Sequence, residues 1–286
     1  MSINLQDTLA DKYKAPLYMY NSEDYYFKDY CYFTDSKFPV LYGAFRRRLK
    51  KAFDNCMKKT EYCIYSCDSL TEEYAAVFDI PGTAVLTGTE IVAAEPAVND
   101  PPVVSYLGNL GLGRDASLCR FAETLQKIDP RCKLQVYGHS PDQEILKRLR
   151  ECAAVSLNGF VPYEETLRIM RESDLIIHAE SFESFYMKDI KHGFSTKIAD
   201  SLACGTPFLV YGPETFAGAK YLIKNKAAHV VTSEAELEGE LEKVLKDKNY
   251  RNRYIAQALV TAEQNHRIEK NHDKVTGILN GRHYDK

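Results

Sequence analysis

From residue 103 onward the hydrophobic positions of this chain switch between two periods. Short, mostly apolar runs recur over residues 103–107, 134–137, 155–157, 175–178, 208–211 and 230–231, the pattern of strands covered on both faces. Between them the apolar residues return every three or four positions. Over 116–128, Leu118, Phe121, Ala122 and Leu125 fall on one face of a helix. Further helices are expected over 143–152, 164–173, 217–225 and 234–246, and Pro162 stands just before the second of these. Strand–helix alternation at this spacing predicts an α/β fold, a parallel sheet with helices on both faces.

The first 90 residues show a sparser pattern. It predicts a strand over 16–20, a long basic helix over 41–59, a strand over 62–65, a helix over 69–78 and a short strand at Val85 and Leu86. Ser66 or Asp68 is placed to cap the second helix. That set amounts to half of an independent α/β domain. The stretch VAAEPAVNDPP at 92–102, with three prolines, reads as a linker. At the other end, 250–274 reads as one charged amphipathic helix with no strand after it. The expected division is therefore a partial N-terminal α/β domain (1–92), a linker (93–102), a complete Rossmann-like domain (103–248) and a C-terminal helical segment (249–286).

Composition narrows the function classes. The 286 residues carry 37 Lys and Arg against 40 Asp and Glu, a net charge of -3, which argues against a dedicated nucleic-acid binder. Eight cysteines include no Cys-x-x-Cys pair, and Cys63 and Cys67 have no histidine or further cysteine at zinc-site spacing. They read as reduced thiols of a cytoplasmic protein. No signal peptide opens the chain, and no apolar run approaches the roughly 20 residues of a membrane span. No metal site is expected from the scattered histidines. Arg46, Arg47, Arg48, Lys50, Lys51, Lys58 and Lys59 give one helix a basic face. It is either a solvated face or a peripheral contact with anionic lipid at the inner face of a membrane.

Candidate chemistry concentrates in 175–213, LIIHAESFESFYMKDIKHGFSTKIADSLACGTPFLVYGP. An apolar run leads into a polar loop that ends at Gly193. Ser195-Thr196-Lys197 then opens an apolar-periodic helix, and Gly205-Thr206-Pro207 turns the chain into the next strand. Hydroxyls, a lysine and free backbone N–H groups at a helix start suit a phosphate. A second glycine turn, YLGNLGLGR at 106–114, is spaced G-x-x-G-x-G, so it is neither the dinucleotide fingerprint nor a Walker A loop. Its last residue, Arg114, adds a guanidinium suited to a diphosphate. Asp200 lies one helical turn after Lys197 and suits ribose hydroxyls. Glu180, Glu183 and His192 in the loop are placed to bond a polyhydroxylated ligand. Each feature also has a plain reading, as a flexible turn, a helix cap or a solvated side chain.

The segment GFSTKIADSLACGTPFLVYGP resembles the donor-site segment of GT-B glycosyltransferases, especially glycosyltransferase family 4 and its "glycosyl transferases group 1" relatives. Those enzymes carry two glutamates separated by seven residues, and here His192 and Asp200 stand in the two places. Thr196-Lys197 looks like the Ser-Lys or Thr-Lys turn of one branch. The family's paired cations at the glycine turn fall on Asn109 and Arg114. Asn158 to Pro162 looks like the loop that packs on the nucleotide base. The resemblance implies donor diphosphate contacts from Gly111, Arg114, Ser195, Thr196 and Lys197, a ribose contact from Asp200 and base contacts from Phe160 and Val161. It also implies sugar contacts from Glu180, His192, Gly193 and Phe194. Asp24 stands near the place of a catalytic histidine that this chain lacks.

The implied reaction transfers a sugar, with retention, from a UDP- or GDP-linked donor to a glycan, glycolipid or protein acceptor. It needs no metal and no cofactor beyond the donor substrate. The resemblance covers 103–245 well and 16–91 more loosely, and the opening strands of the family's N-terminal domain have no counterpart. The expectation is a truncated N-terminal domain, or one completed by a partner chain or an oligomer. A competing reading is a nucleotide-sugar-binding fragment or subunit without its own chemistry. A nucleotide-sugar epimerase and a nicotinamide-dependent dehydrogenase are weaker alternatives, the latter because of the glycine spacing.

Overall fold

The computed structural model of the chain describes residues 12, 17–22, 24, 26 and 39–281. The chain forms two compact units, Met1–Leu86 with Glu269–Lys286, and Thr87–Ile268.

In the first unit, β1 (Leu17–Asn21), β2 (Thr60–Tyr65) and β3 (Gly82–Ala84) form a parallel sheet in that order. Parallel neighbours need long crossovers. Helices α1 (Pro39–Met57) and α2 (Asp68–Ala75) lie within them. Phe53, Tyr74 and Phe78 pack with Tyr26 and Tyr65 in an aromatic cluster, with ring centroids 5.0–6.5 Å apart. The short strand forms over β3 and not at Val85 and Leu86. A Cβ on Gly82 would stand 2.9 Å from the Cys63 carbonyl and 2.8 Å from the Tyr65 ring, so glycine is what lets this strand approach β2. Pro16, the first residue of the expected opening strand, lies outside the described residues.

The second unit holds a six-stranded sheet, with β4 (Val104–Asn109), β5 (Leu134–His139), β6 (Val155–Gly159), β7 (Leu175–Ala179), β8 (Phe208–Tyr211) and β9 (His229–Val231). Every pairing is parallel and the order is β6-β5-β4-β7-β8-β9. The order reverses between β4 and β7, the doubly wound arrangement whose ligand crevice lies beyond the carboxyl ends of the strands at the reversal. The connecting helices are α3 (Arg114–Ile128), α4 (Gln143–Glu151), α5 (Tyr163–Glu172), α6 (Ser184–Ile190), α7 (Lys197–Ala203), α8 (Ala217–Asn225) and α9 (Glu234–Lys246). Val104, Tyr106, Leu134, Val136, Leu175, Ile177 and Leu209 from the strands are buried with Leu118, Phe121 and Leu125 of α3 in one core.

Two further elements differ from the sequence expectation. Helix α6 occupies part of the expected polar loop. It is seven residues long, too short for its apolar spacing to decide between helix and loop, and only Ile190 of it is buried. The expected single helix over 250–274 is two, α10 (Lys248–Asn265) and α11 (Ile268–Leu279). The break is made by His266, which is fully buried. Its ring nitrogens lie 2.8 Å from the Thr87 carbonyl and 2.9 Å from Tyr221 Oη, and its carbonyl accepts from Thr89 N–H at 2.6 Å. The last of these bonds occupies the carbonyl that would have carried the helix on, and the ring bonds hold the residue in place. All of α11 but its first residue belongs to the first unit. There Ile278 packs on Tyr62 and Ile64, and Lys274 Nζ donates to the Ala84 carbonyl at 2.8 Å.

Candidate functional site

The glycine turn after β4 is built by close backbone approach. A Cβ on Gly138 would stand 2.0 Å from the Gly108 carbonyl oxygen, so β4 and β5 meet there only because glycine occupies the position. Asn109 Oδ1 accepts from Gly111 N–H at 2.6 Å, and Tyr106 Oη donates to the Asn109 carbonyl at 2.6 Å. The N–H of Gly111 is thus engaged inside the turn. Gly113, at φ 70°, turns the chain into α3, and a Cβ there would stand 2.5 Å from the Tyr186 ring.

Arg114, the first residue of α3, is turned inward. Its Nη2 donates to Glu180 Oε1 at 2.8 Å, and Nη1 reaches the Gly111 carbonyl at 3.3 Å. The two side chains are 13% and 2% exposed. His178 Nε2 lies 2.9 Å from the same Glu180 oxygen. Burial works against the Glu180 charge, but His178 and Arg114 hold its carboxyl below the ordinary value. Burial likewise opposes the Arg114 charge, which Glu180 and Tyr106 sustain above its ordinary value. Glu180 is therefore the counter-ion of Arg114.

The turn before α7 has a different character. Thr196 takes the N-cap position without a side-chain cap bond, and its hydroxyl is exposed. Lys197 is half-buried. Burial lowers its pKa, Asp200 opposes that and Arg114 adds to it. Asp200 accepts from Thr89 Oγ1 at 2.7 Å and faces Tyr163 Oη at 3.4 Å. Burial raises its pKa above the ordinary aspartate value, against the pull of Thr89, Tyr163 and Lys197.

These residues wall a cavity of about 540 Å³ at the carboxyl ends of β4, β5 and β6. Phe160, Val161 and Tyr163 line one part, Thr196, Lys197 and Asp200 another, and Gly108, Asn109 and Gly138 the floor. Phe160 is 78% exposed, an aromatic face offered to a ligand.

Of the residues expected at a donor site, the cavity thus gathers Phe160, Val161, Thr196, Lys197 and Asp200. It does not gather Gly111, Arg114, Glu180, His192, Gly193, Phe194 or Ser195. Phe194 packs on Tyr221 at 5.3 Å and on His266 at 6.2 Å. Gly193 N–H donates to the Ile190 carbonyl at 2.8 Å, and the Ser195 carbonyl accepts from Ile198 N–H at 3.0 Å. His192 is buried. Asp24 belongs to the first unit, where it is buried and accepts from Tyr74 Oη at 3.3 Å. Sequence reasoning missed Thr89, Tyr163 and His178. Tyr163, next to Pro162 at the start of α5, stood beside residues already singled out. Thr89 is 111 positions from its partner Asp200 and carried no local signal.

Comparison with known proteins identifies the family and the fold. Residues 114–276, over half of the chain, match the family model described as "Glycosyl transferase-like". No curated protein matches the chain by sequence. Among solved structures, HepE of Anabaena in complex with UDP superposes with a TM-score of 0.72 at 13% identity, over 98% of this chain and 76% of that one. A mutant of S. aureus TarM in complex with fondaparinux, alpha-GlcNAc-glycerol and UDP gives 0.64 at 13% identity, over 81% of this chain and 47% of that one. WaaG, a glycosyltransferase involved in lipopolysaccharide biosynthesis, gives 0.62 at 15%, over 97% and 81%. The chain spans about half the length of TarM. At these identities the superpositions speak for the fold, and the fold they share is that of the GT-B glycosyltransferases. Together with the family match, this establishes that the chain belongs to the glycosyl transferase-like family.

Proposed function

We propose that the second unit binds a nucleoside diphosphate sugar and that the chain serves transfer of the sugar to an acceptor hydroxyl with retention. The observation that carries this reading is the make-up of the cavity. An exposed aromatic and an apolar residue, Phe160 and Val161, stand ready for the base. Asp200 takes the ribose hydroxyls. Lys197 and Thr196 take the diphosphate. In the reaction the bond from the anomeric carbon to the phosphate oxygen breaks, the acceptor oxygen bonds to that carbon, and the acceptor proton is released. Negative charge grows on the departing diphosphate, and a fixed ammonium in a half-buried site stabilises it there. No metal is assigned a role. The sugar end is assigned to the turn of His192, Gly193 and Phe194, and Asp24 is kept as an acidic group for the acceptor side.

The acceptor is taken to be a glycan or glycolipid. Arg47, Arg48 and Lys51 on α1, and Lys58 just after it, are exposed and offer a basic contact for anionic lipid on the cytoplasmic side. Arg46 is not part of that face, since it is buried and its Nη2 donates to the Tyr26 carbonyl at 2.5 Å. A second reading, a donor-binding subunit that needs a partner chain for catalysis, is supported by the first unit, whose sheet has three strands among the described residues.

Calorimetric titration with UDP and GDP tests the proposal. Saturable binding of one nucleotide, weakened about tenfold or more in Lys197→Ala, is expected. Binding that this substitution leaves unchanged, or none to folded protein, removes the proposal. Release of nucleoside diphosphate from the matching sugar donor with acceptor present separates the enzyme from the subunit.

A further inference from the structure

Arg114 and Glu180 meet where the strand order reverses, one after the β4 turn and the other directly after β7. Glu180 is held through its backbone and one carboxylate oxygen. Its N–H donates to the Tyr211 carbonyl at 2.9 Å, and its carbonyl accepts from Ser117 Oγ at 2.8 Å. Its Oε1 takes Arg114 Nη2 and faces His178 Nε2, whose ring stacks on Phe216 at 5.4 Å. Arg114 has fewer restraints, since Glu180 is its one short contact. What Glu180 fixes is therefore the direction of the guanidinium.

The pair is also incompletely bonded. Arg114 Nε and Glu180 Oε2 are buried and have no hydrogen-bond partner among the described residues. A guanidinium carries five N–H groups, so pairing with one carboxylate oxygen leaves donors over. Buried charged donors without a partner are rare in native folds and mark strain, catalysis or a bound species. The unused N–H lies at the head of α3, where the first helical amides also favour an anion. Gly108 and Asn109, in the turn that Arg114 closes, line the same cavity as Lys197, which puts the two turns at one site.

We infer that Glu180, braced by His178, is a positioning residue for Arg114, and that the oriented guanidinium receives the terminal phosphate of the nucleoside diphosphate through Nε. Glu180 then acts on the phosphate through Arg114 and does not touch the sugar. This rests on the donor-site reading above.

The test is calorimetric titration of the full chain and its Glu180→Ala, Glu180→Gln and His178→Phe variants. The ligands are UMP, UDP, GMP, GDP and inorganic pyrophosphate. Glu180→Ala is expected to weaken the bound diphosphate and pyrophosphate about tenfold or more and to leave the monophosphate unchanged. Glu180→Gln, whose amide oxygen still accepts from Nη2, restores most of that affinity. His178→Phe keeps the ring against Phe216 and gives a smaller loss with the same pattern, about threefold, which carries the test if Glu180→Ala does not fold. Equal loss for mono- and diphosphate, or no loss in the folded variants, overturns the inference. Wild-type binding of pyrophosphate without any nucleotide removes the donor reading and leaves the pyrophosphate series to judge Glu180. Binding of none of the ligands removes both.

Discussion

The turn before α3 and the turn before α7 look alike in sequence, each with a glycine followed within a few residues by a cation at a helix start. The fold uses them differently. Arg114 is largely buried, at 13% exposure, and carries its own counter-ion, Glu180. Lys197 is half-buried on a cavity wall, and among the described residues no carboxylate lies within ion-pair distance of it. A charge taken fully out of water needs a fixed opposite charge, whereas one on a cavity wall keeps part of its hydration until a ligand replaces it. A cation beside a glycine turn thus stands open to a phosphate where the strands do not hand it a carboxylate. Where they do, the cation contributes through what the carboxylate leaves unbonded.

The difference can be broken from either side. The largest effect is expected on stability at the buried turn. Glu180→Leu strands a buried guanidinium and should cost about 3–5 kcal/mol in denaturant unfolding, while adding Arg114→Met should return most of it. Independent, additive losses in that cycle would mean that the two side chains do not form one unit.

Lys197→Ala is the mirror experiment. It should leave the unfolding midpoint within about 0.5 kcal/mol of wild type yet weaken the diphosphate ligand about tenfold to a hundredfold. A large stability loss there would make Lys197 a structural residue like Arg114.

Gly113→Ala probes how the buried turn is shaped. With φ at 70° and the Tyr186 ring 2.5 Å from the added Cβ, a loss of about 1–3 kcal/mol is expected. Gly159, also at positive φ but with open space around it, should cost no more than about 1 kcal/mol as alanine. Equal costs would show that the backbone angle, and not the packing of α6 on the turn, sets the price.

The smallest effect concerns pH. Burial raises the Asp200 pKa above its ordinary value of 3.8, so the folded state holds that proton more firmly than the unfolded chain. Stability contributed by this group is therefore lost as pH rises from the unfolded pKa to the folded one. Asp200→Asn, whose amide oxygen still accepts from Thr89, should remove that part of the pH dependence. Superimposable wild-type and variant profiles through the acid range would show that Asp200 does not titrate there.

Much of the second unit was legible in the chain because its signals are local. A run such as 208–211 is apolar at every position, so it names itself as a strand buried on both faces, and the structure has β8 over the same residues. The helix over 217–225 and the one over 234–246 were equally plain, since their apolar residues repeat at helical spacing and their ends are polar. Helix α6 was not legible, because seven residues are too few for periodicity to separate a helix from a loop. Nor was the break at His266, because what stops the helix there is hydrogen bonding to Thr87, Thr89 and Tyr221, remote in the chain. Within the candidate site the same division holds. Thr196, Lys197 and Asp200 share one short helix start, and Phe160 and Val161 follow one strand, so sequence spacing grouped each set correctly.

By itself the sequence determined the alternation of strands and helices, the glycines that shape the β4 turn, and the placing of cations at two helix starts. These depend on residues a few positions apart, where periodicity and turn chemistry act directly. Only the tertiary structure decided which cation would be free. Glu180 is 66 positions from Arg114 and meets it because β4 and β7 lie side by side at the point of strand-order reversal. That adjacency follows from how the whole sheet buries its apolar faces, a cooperative outcome that no short stretch of the chain encodes.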